Sequence, residues 1–126
     1  MRTMIIMLVA LTTSTTVALA DPCEAPLPVK GTEFAGVVTY IVDGDGLCVG
    51  EDEGGIEVRL ADFNAIELKE PGGQAAKETL RTLTFGKRVE CVAGKKSYDR
   101  TVAACTLEGK QLGDLMRAAG VPEGGN

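Results

Sequence analysis

Four short polar clusters hold the residue types that phosphodiester chemistry uses: Asp43-Gly44-Asp45, Arg59-Leu60, Asn64-Ala65-Ile66-Glu67 and Tyr98-Asp99-Arg100. The guanidinium forks of Arg59 and Arg100 match phosphate oxygens in bidentate fashion and stabilise the charge that grows as phosphorus is attacked. A carboxylate such as Glu67 can take a proton from the attacking water. Aspartates and carbonyl oxygens can hold a hard cation such as Ca2+. Other chemistries are closed off. The chain has no histidine, which excludes Ser-His-Asp and Cys-His catalysis and weighs against a zinc site. An EF-hand also fails. Counting Asp43 as its first position puts Cys48 at the turn glycine and Gly54 at the bidentate glutamate.

The elements that must position these clusters are mostly β. Residues 34–42 are rich in Val, Ile and Tyr and run into Asp43-Gly44, a strong hairpin signal. A short strand at 47–50 leads to the acidic turn Glu51-Asp52-Glu53. In the next strand Ile56, Val58 and Leu60 alternate with Glu57 and Arg59, so Arg59 is expected opposite the apolar face. After a loop at 61–71, Ala76, Leu80 and Leu83 give a helix over 74–85 its buried stripe, with Gly86 as its stop. Strands are expected at 88–93 and 101–107, separated by a polar loop at 94–100. A last helix carries Leu112, Leu115, Met116 and Ala119 on its apolar side and stops at Gly120 and Pro122. The order β-β-β-α-β-β-α is that of a mainly β domain with helices, a five-stranded OB-fold barrel, whose closure removes exposed sheet edges.

The N-terminus reads as an export signal. Arg2, the apolar run at 4–11 and Ala18-Leu19-Ala20 form the three parts of a secretory signal peptide over residues 1–20. Eight apolar residues cannot cross roughly 30 Å of hydrocarbon, so no membrane span is expected. Cleavage leaves a Pro-rich extended arm at 21–33, one domain at 34–121 and a tail at 122–126. With Arg2 lost, twelve Lys/Arg face eighteen Asp/Glu, a net charge of −6 that gives no long-range help towards nucleic acid or anionic membranes. The protein is expected to be a monomer, periplasmic or secreted. Its four cysteines, an even number, are expected to form two disulfides. Cys91–Cys105 is favoured because two β-like segments joined by a short loop carry them, leaving Cys23–Cys48 to pin the arm.

Taken in order, G-V-V-x-x-I-V-D-G-D, R-L-A-D-F-N-A-I-E, the G-G-Q-A-A-K helix, S-Y-D-R and L-x-x-L-M-R-A-A-G-V resemble the thermonuclease (staphylococcal-nuclease-like) family over residues 34–121. The resemblance implies an SNase-like OB-fold and a Ca2+-dependent nuclease acting on DNA or RNA. It implies Glu67 as general base, Arg59 and Arg100 as phosphate clamps, and Tyr98 against the nucleotide. It also implies Asp45, Asn64 and the Ala65 backbone carbonyl as calcium ligands, with Asp43 as the neighbouring acid.

The chain departs from the family pattern at several of these places. Asn64 stands for an aspartate, which removes a charge from the calcium site and implies weaker binding. Ile66 stands for the proline that tightens the turn before Glu67. Gly46 stands for a threonine. Asp99 stands for a glycine and sets an acid beside Arg100. The two functions to be separated are an exported phosphodiesterase with a weakened metal site and a non-catalytic OB-fold binding module of the cell envelope.

Overall fold

A computed structural model describes residues 9–13 and 21–124; most of the expected signal peptide lies outside the described residues. Five strands close a barrel: β1 (Glu33–Asp43), β2 (Gly46–Val49), β3 (Ile56–Leu60), β4 (Arg88–Val92) and β6 (Arg100–Leu107). They run in the order β3-β2-β1-β4-β6. A parallel pairing of β3 with β6, Val58 opposite Thr101 and Arg59 opposite Val102, joins the ends. The arrangement is that of an OB-fold of the SNase-like kind. Two helices complete it, α1 (Gly73–Thr84) and α2 (Leu112–Ala118).

The core lies inside the barrel and under α1. Val38, Ile41, Leu47, Val58, Leu60, Phe63, Leu80, Val89, Ala103, Leu112 and Met116 are all buried there. Removing this apolar surface from water is the main stabilising term, at about 25 cal/mol per Å2. On α1 the buried positions are Gly73, Ala76, Leu80 and Thr84. Thr84 tolerates full burial because its hydroxyl donates to the Leu80 carbonyl at 2.7 Å.

The polar stretch at 94–100 is not a plain loop. Its backbone groups pair as a small hairpin, β5 (Lys96–Ser97) against the start of β6, with Ser97 opposite Arg100. A second short strand, β7 (Lys110–Gln111), pairs with the end of β6. Ala119 is exposed, because α2 stops at Ala118 and the chain turns at Gly120.

The arm carries no regular secondary structure up to Thr32, where β1 takes over at Glu33, yet it is pinned to the barrel. Disulfides join Cys23 to Cys48 and Cys91 to Cys105, with Cα atoms 5.5 and 4.1 Å apart. Backbone bonds from Glu24 to Glu53 and from Ala25 to Gly55 continue the first attachment, and Gly31 donates to Ala93. Two disulfides indicate a non-reducing environment. No helix among the described residues is long and apolar enough to cross a membrane.

Candidate active site

The β1–β2 turn and the loop after β3 meet at Asp45. The turn is built by Asp43, whose Oδ1 accepts from the Asp45 N–H at 3.1 Å. Gly44 allows the close approach. A β-carbon there would lie 2.7 Å from Ala65 Cβ and 2.8 Å from Ala76 Cβ, so the turn, the loop and α1 touch only because it has no side chain. Asp45 is 7% exposed, and its Oδ2 accepts from the Ala65 N–H at 2.8 Å. Burial pushes its carboxyl up to about 6, the Ala65 N–H pulls it down, the nearby Asp43 carboxylate raises it further and Arg59 lowers it.

Arg59 does not stand free on a wet strand face, as simple alternation predicts. Its guanidinium lies 3.3 Å from Asp45 Oδ2 and donates to Asn64 Oδ1 at 2.7 Å, to the Phe63 carbonyl at 3.0 Å and to the Leu60 carbonyl. Side-chain exposure is only 22% for Arg59 and 10% for Asp45 in this pair. The arginine therefore stitches the loop that follows its own strand. Asn64 is held from the other side as well, since its Nδ2 donates to the Gly124 carbonyl at 3.1 Å and its carbonyl accepts from the Gly124 N–H.

Glu67 sits three residues on and is exposed. The Glu67 carbonyl accepts from Glu70 N–H, and Gly73 N–H donates to Glu70. A β-carbon on Gly73 would lie 2.1 Å from the Glu67 carbonyl oxygen, so this glycine brings the start of α1 against the turn that carries Glu67. The adjoining recess, about 210 Å3, is lined by Ala65, Ile66, Glu67, Glu70, Pro71 and the tail residues Glu123 and Gly124. Arg117 holds that tail by pairing with Glu123 at 3.1 Å while donating to the Asp62 carbonyl at 2.8 Å. A larger recess, about 490 Å3, lies elsewhere on the barrel around Glu33, Phe34, Glu90 and Thr106, and it includes no arginine.

The structure thus brings together Asp43, Asp45, Arg59, Asn64 and Ala65. Arg100 opens β6 and makes no ion pair among the described residues; neither does Glu67. Tyr98 is 95% exposed at the tip of the β5–β6 hairpin, with φ of 60°, and does not pack across the barrel.

As a place for calcium the Asp45 set is oxygen-rich, which suits a hard cation. In this arrangement, however, the Arg59 guanidinium holds Asp45 Oδ2 and Asn64 Oδ1, two of the oxygens a cation would use. Asp45 is not among the groups of three acidic or sulfur ligands that converge within 4.8 Å. The all-carboxylate group that does so is Asp21, Glu57 and Asp99.

Alternation along β3 did not mark Glu57 as buried. It shares a strand face with Arg59, and that face is covered at Glu57 by the arm, which the Cys23–Cys48 disulfide and the Glu24 and Ala25 backbone bonds lay across it. Burial, followed by the neighbouring Asp21 and Asp99 carboxylates, pushes the Glu57 carboxyl up to about 8. The i, i+3 spacing of Asp114 and Arg117 marks an ion pair along α2, but no local pattern marks the hold of Arg117 on Glu123 in the tail.

No family model matches the chain. Over 68 residues it is 41% identical to a Haemophilus influenzae protein named an uncharacterized endonuclease; the match takes in 52% of this chain and 38% of that protein. The chain thus aligns with well under half of that relative's length.

Proposed function

We propose that this protein is an exported phosphodiester hydrolase of the nuclease type, acting on DNA or RNA. The observation that carries the reading is Arg59, fixed by three acceptors and Asp45 on an OB-type barrel, with the exposed Glu67 carboxylate on the loop it organises. The partial match to a protein named an endonuclease supports it.

In this reading Glu67 takes a proton from water as its oxygen bonds to phosphorus. The ester P–O bond breaks, and the leaving oxygen takes a proton from solvent. Arg59 and Arg100 stabilise the charge on the non-bridging oxygens, and Tyr98 borders the nucleotide. A positioned base contributes about 10²–10⁴-fold and an electrostatic donor about 10²–10³-fold. Calcium dependence through Asp45, Asn64 and the Ala65 carbonyl, with Asp43 beside them, belongs to the same proposal. Arg59 stands on two of those oxygens, Asp45 Oδ2 and Asn64 Oδ1, so an ion there would have to share them.

The test is degradation of plasmid DNA and of RNA by the purified, disulfide-bonded protein, in calcium and in EDTA. Cleavage in calcium is expected, with loss in EDTA; no cleavage of either polymer contradicts the proposal. The second reading is a non-catalytic OB-fold module of the cell envelope. The acidic lining of Glu67, Glu70 and Glu123 beside the loop favours it, because such a lining repels phosphate. That reading expects no hydrolysis under any condition.

A further inference from the structure

Away from the Asp45 turn, three carboxylates converge where the arm crosses β3. One ligand oxygen from each of Asp21, Glu57 and Asp99 lies within 4.8 Å of the others. Each comes from a different part of the chain. Asp21 belongs to the arm, and its Oδ1 accepts from the Cys23 N–H at 3.1 Å. Cys23 is bound to Cys48, which pairs with Glu57 across the β2–β3 ladder, so the disulfide delivers Asp21 to Glu57. Asp99 reaches in from the β5–β6 hairpin turn.

An acidic cluster alone says little, since carboxylates often gather on wet surfaces. Glu57 is not on a wet surface. It is 5% exposed, and its Oε1 is buried without a hydrogen-bond partner among the described residues. A buried carboxylate oxygen left unpartnered is destabilising unless a cation or donor completes it. The spacing also fits. Three oxygens held about 2.4 Å from one Ca2+ lie no more than about 4.8 Å apart, and Ca2+ accepts water for the rest of its six to eight ligands.

We propose that Asp21, Glu57 and Asp99 form a divalent-cation site, suited to Ca2+, that fastens the N-terminal arm and the β5–β6 hairpin to β3. The site is separate from the Asp45–Asn64 set, and it does not depend on the protein being a nuclease. Three carboxylates and water suit affinities on the order of 10⁻⁴ M, the range of calcium modules outside the cytosol.

Calorimetric titration of EDTA-stripped, disulfide-bonded protein with CaCl2 tests this, with binding rather than cleavage as the readout. An event near 10⁻⁴ M is expected, distinct from any at the Asp45–Asn64 set, weakened at least tenfold in Asp99→Asn and in Glu57→Gln and retained in Glu67→Gln. Asp99 lies on an exposed turn, so its variant keeps the fold, which circular dichroism checks. Opening the Cys23–Cys48 bridge in Cys23→Ala/Cys48→Ala also weakens the event, since Asp21 is then held only by the chain. An event undiminished in Asp99→Asn, or lost in Glu67→Gln, overturns the site. So does the absence of both heat and thermal shift up to about 10 mM calcium, beyond the range of such sites. Cleavage assays on the same proteins keep failure here distinct from failure of the nuclease reading.

Discussion

Removing the Arg59 guanidinium unhooks Asp45 and leaves the Leu60 and Phe63 carbonyls and Asn64 Oδ1 short of a donor. Breaking a largely buried pair from one side costs about 3–5 kcal/mol, because the remaining charge is left uncompensated. Arg59→Ala should therefore lose roughly that much by urea unfolding, while Arg100→Ala, which breaks no ion pair among the described residues, stays within about 0.5 kcal/mol. The pair of variants separates the arginine that also holds the loop after β3 from the one that the fold does not need. Glu57 gives a prediction in pH. Its folded-state pKa is raised to about 8 from an ordinary 4.5, so the folded chain holds a proton that the unfolded chain releases. Stability from this group is fully present below about 4.5 and is lost as pH rises through about 8. In EDTA the Tm should fall between pH 5 and pH 9, and Glu57→Gln should flatten that fall. A Tm that rises over this interval, or a variant with the same slope, contradicts the assignment.

At the scale of elements, the strands and helices were legible in the sequence because their signals are local: β-branched runs, Asp43-Gly44, and the 3.6-residue stripe through Ala76 and Leu80. The exceptions have tertiary causes. Period-two alternation gave Glu57 and Arg59 the same wet face, but the arm, tied by the Cys23–Cys48 disulfide, covers one, and the loop after β3 folds its carbonyls over the other. The β5–β6 hairpin was hidden because its turn puts Tyr98, at a φ of 60°, where glycine is usual. For the candidate site, the residue identities were legible, but their hydrogen-bonding partners were not. Gly44 tests the packing of these elements. Gly44→Ala places a methyl against Ala65 and Ala76 and should cost about 1–3 kcal/mol, read as a lower urea midpoint. An unchanged midpoint would show that the turn, the loop and α1 are not locked together as described. Opening Cys23–Cys48 should cost about 3 kcal/mol in the loop-entropy picture, with faster proteolysis confined to the arm.

The whole molecule is a small barrel stapled at two places, with an acidic surface and a thin set of aromatics. The N-terminal arm crosses the barrel at Glu57, and the C-terminal tail closes on Asn64 and lines the recess beside Glu67. The arm and the tail thus bear on the face that carries Arg59, so the Cys23–Cys48 disulfide and the Arg117 clamp matter to that face as well as to the fold. Calcium outside the cytosol would act on such a molecule first as a fastener at the arm. Whether the barrel also cleaves a phosphodiester is decided most directly by the initial rate of cleavage of one defined oligonucleotide in calcium, wild type against Glu67→Gln. Glu67 is exposed and its side chain makes no ion pair among the described residues, so the substitution leaves the fold intact. A fall of at least about 10²-fold, the contribution of a positioned general base, is the predicted result. Equal rates for the two proteins, or no cleavage by the wild type, would contradict it.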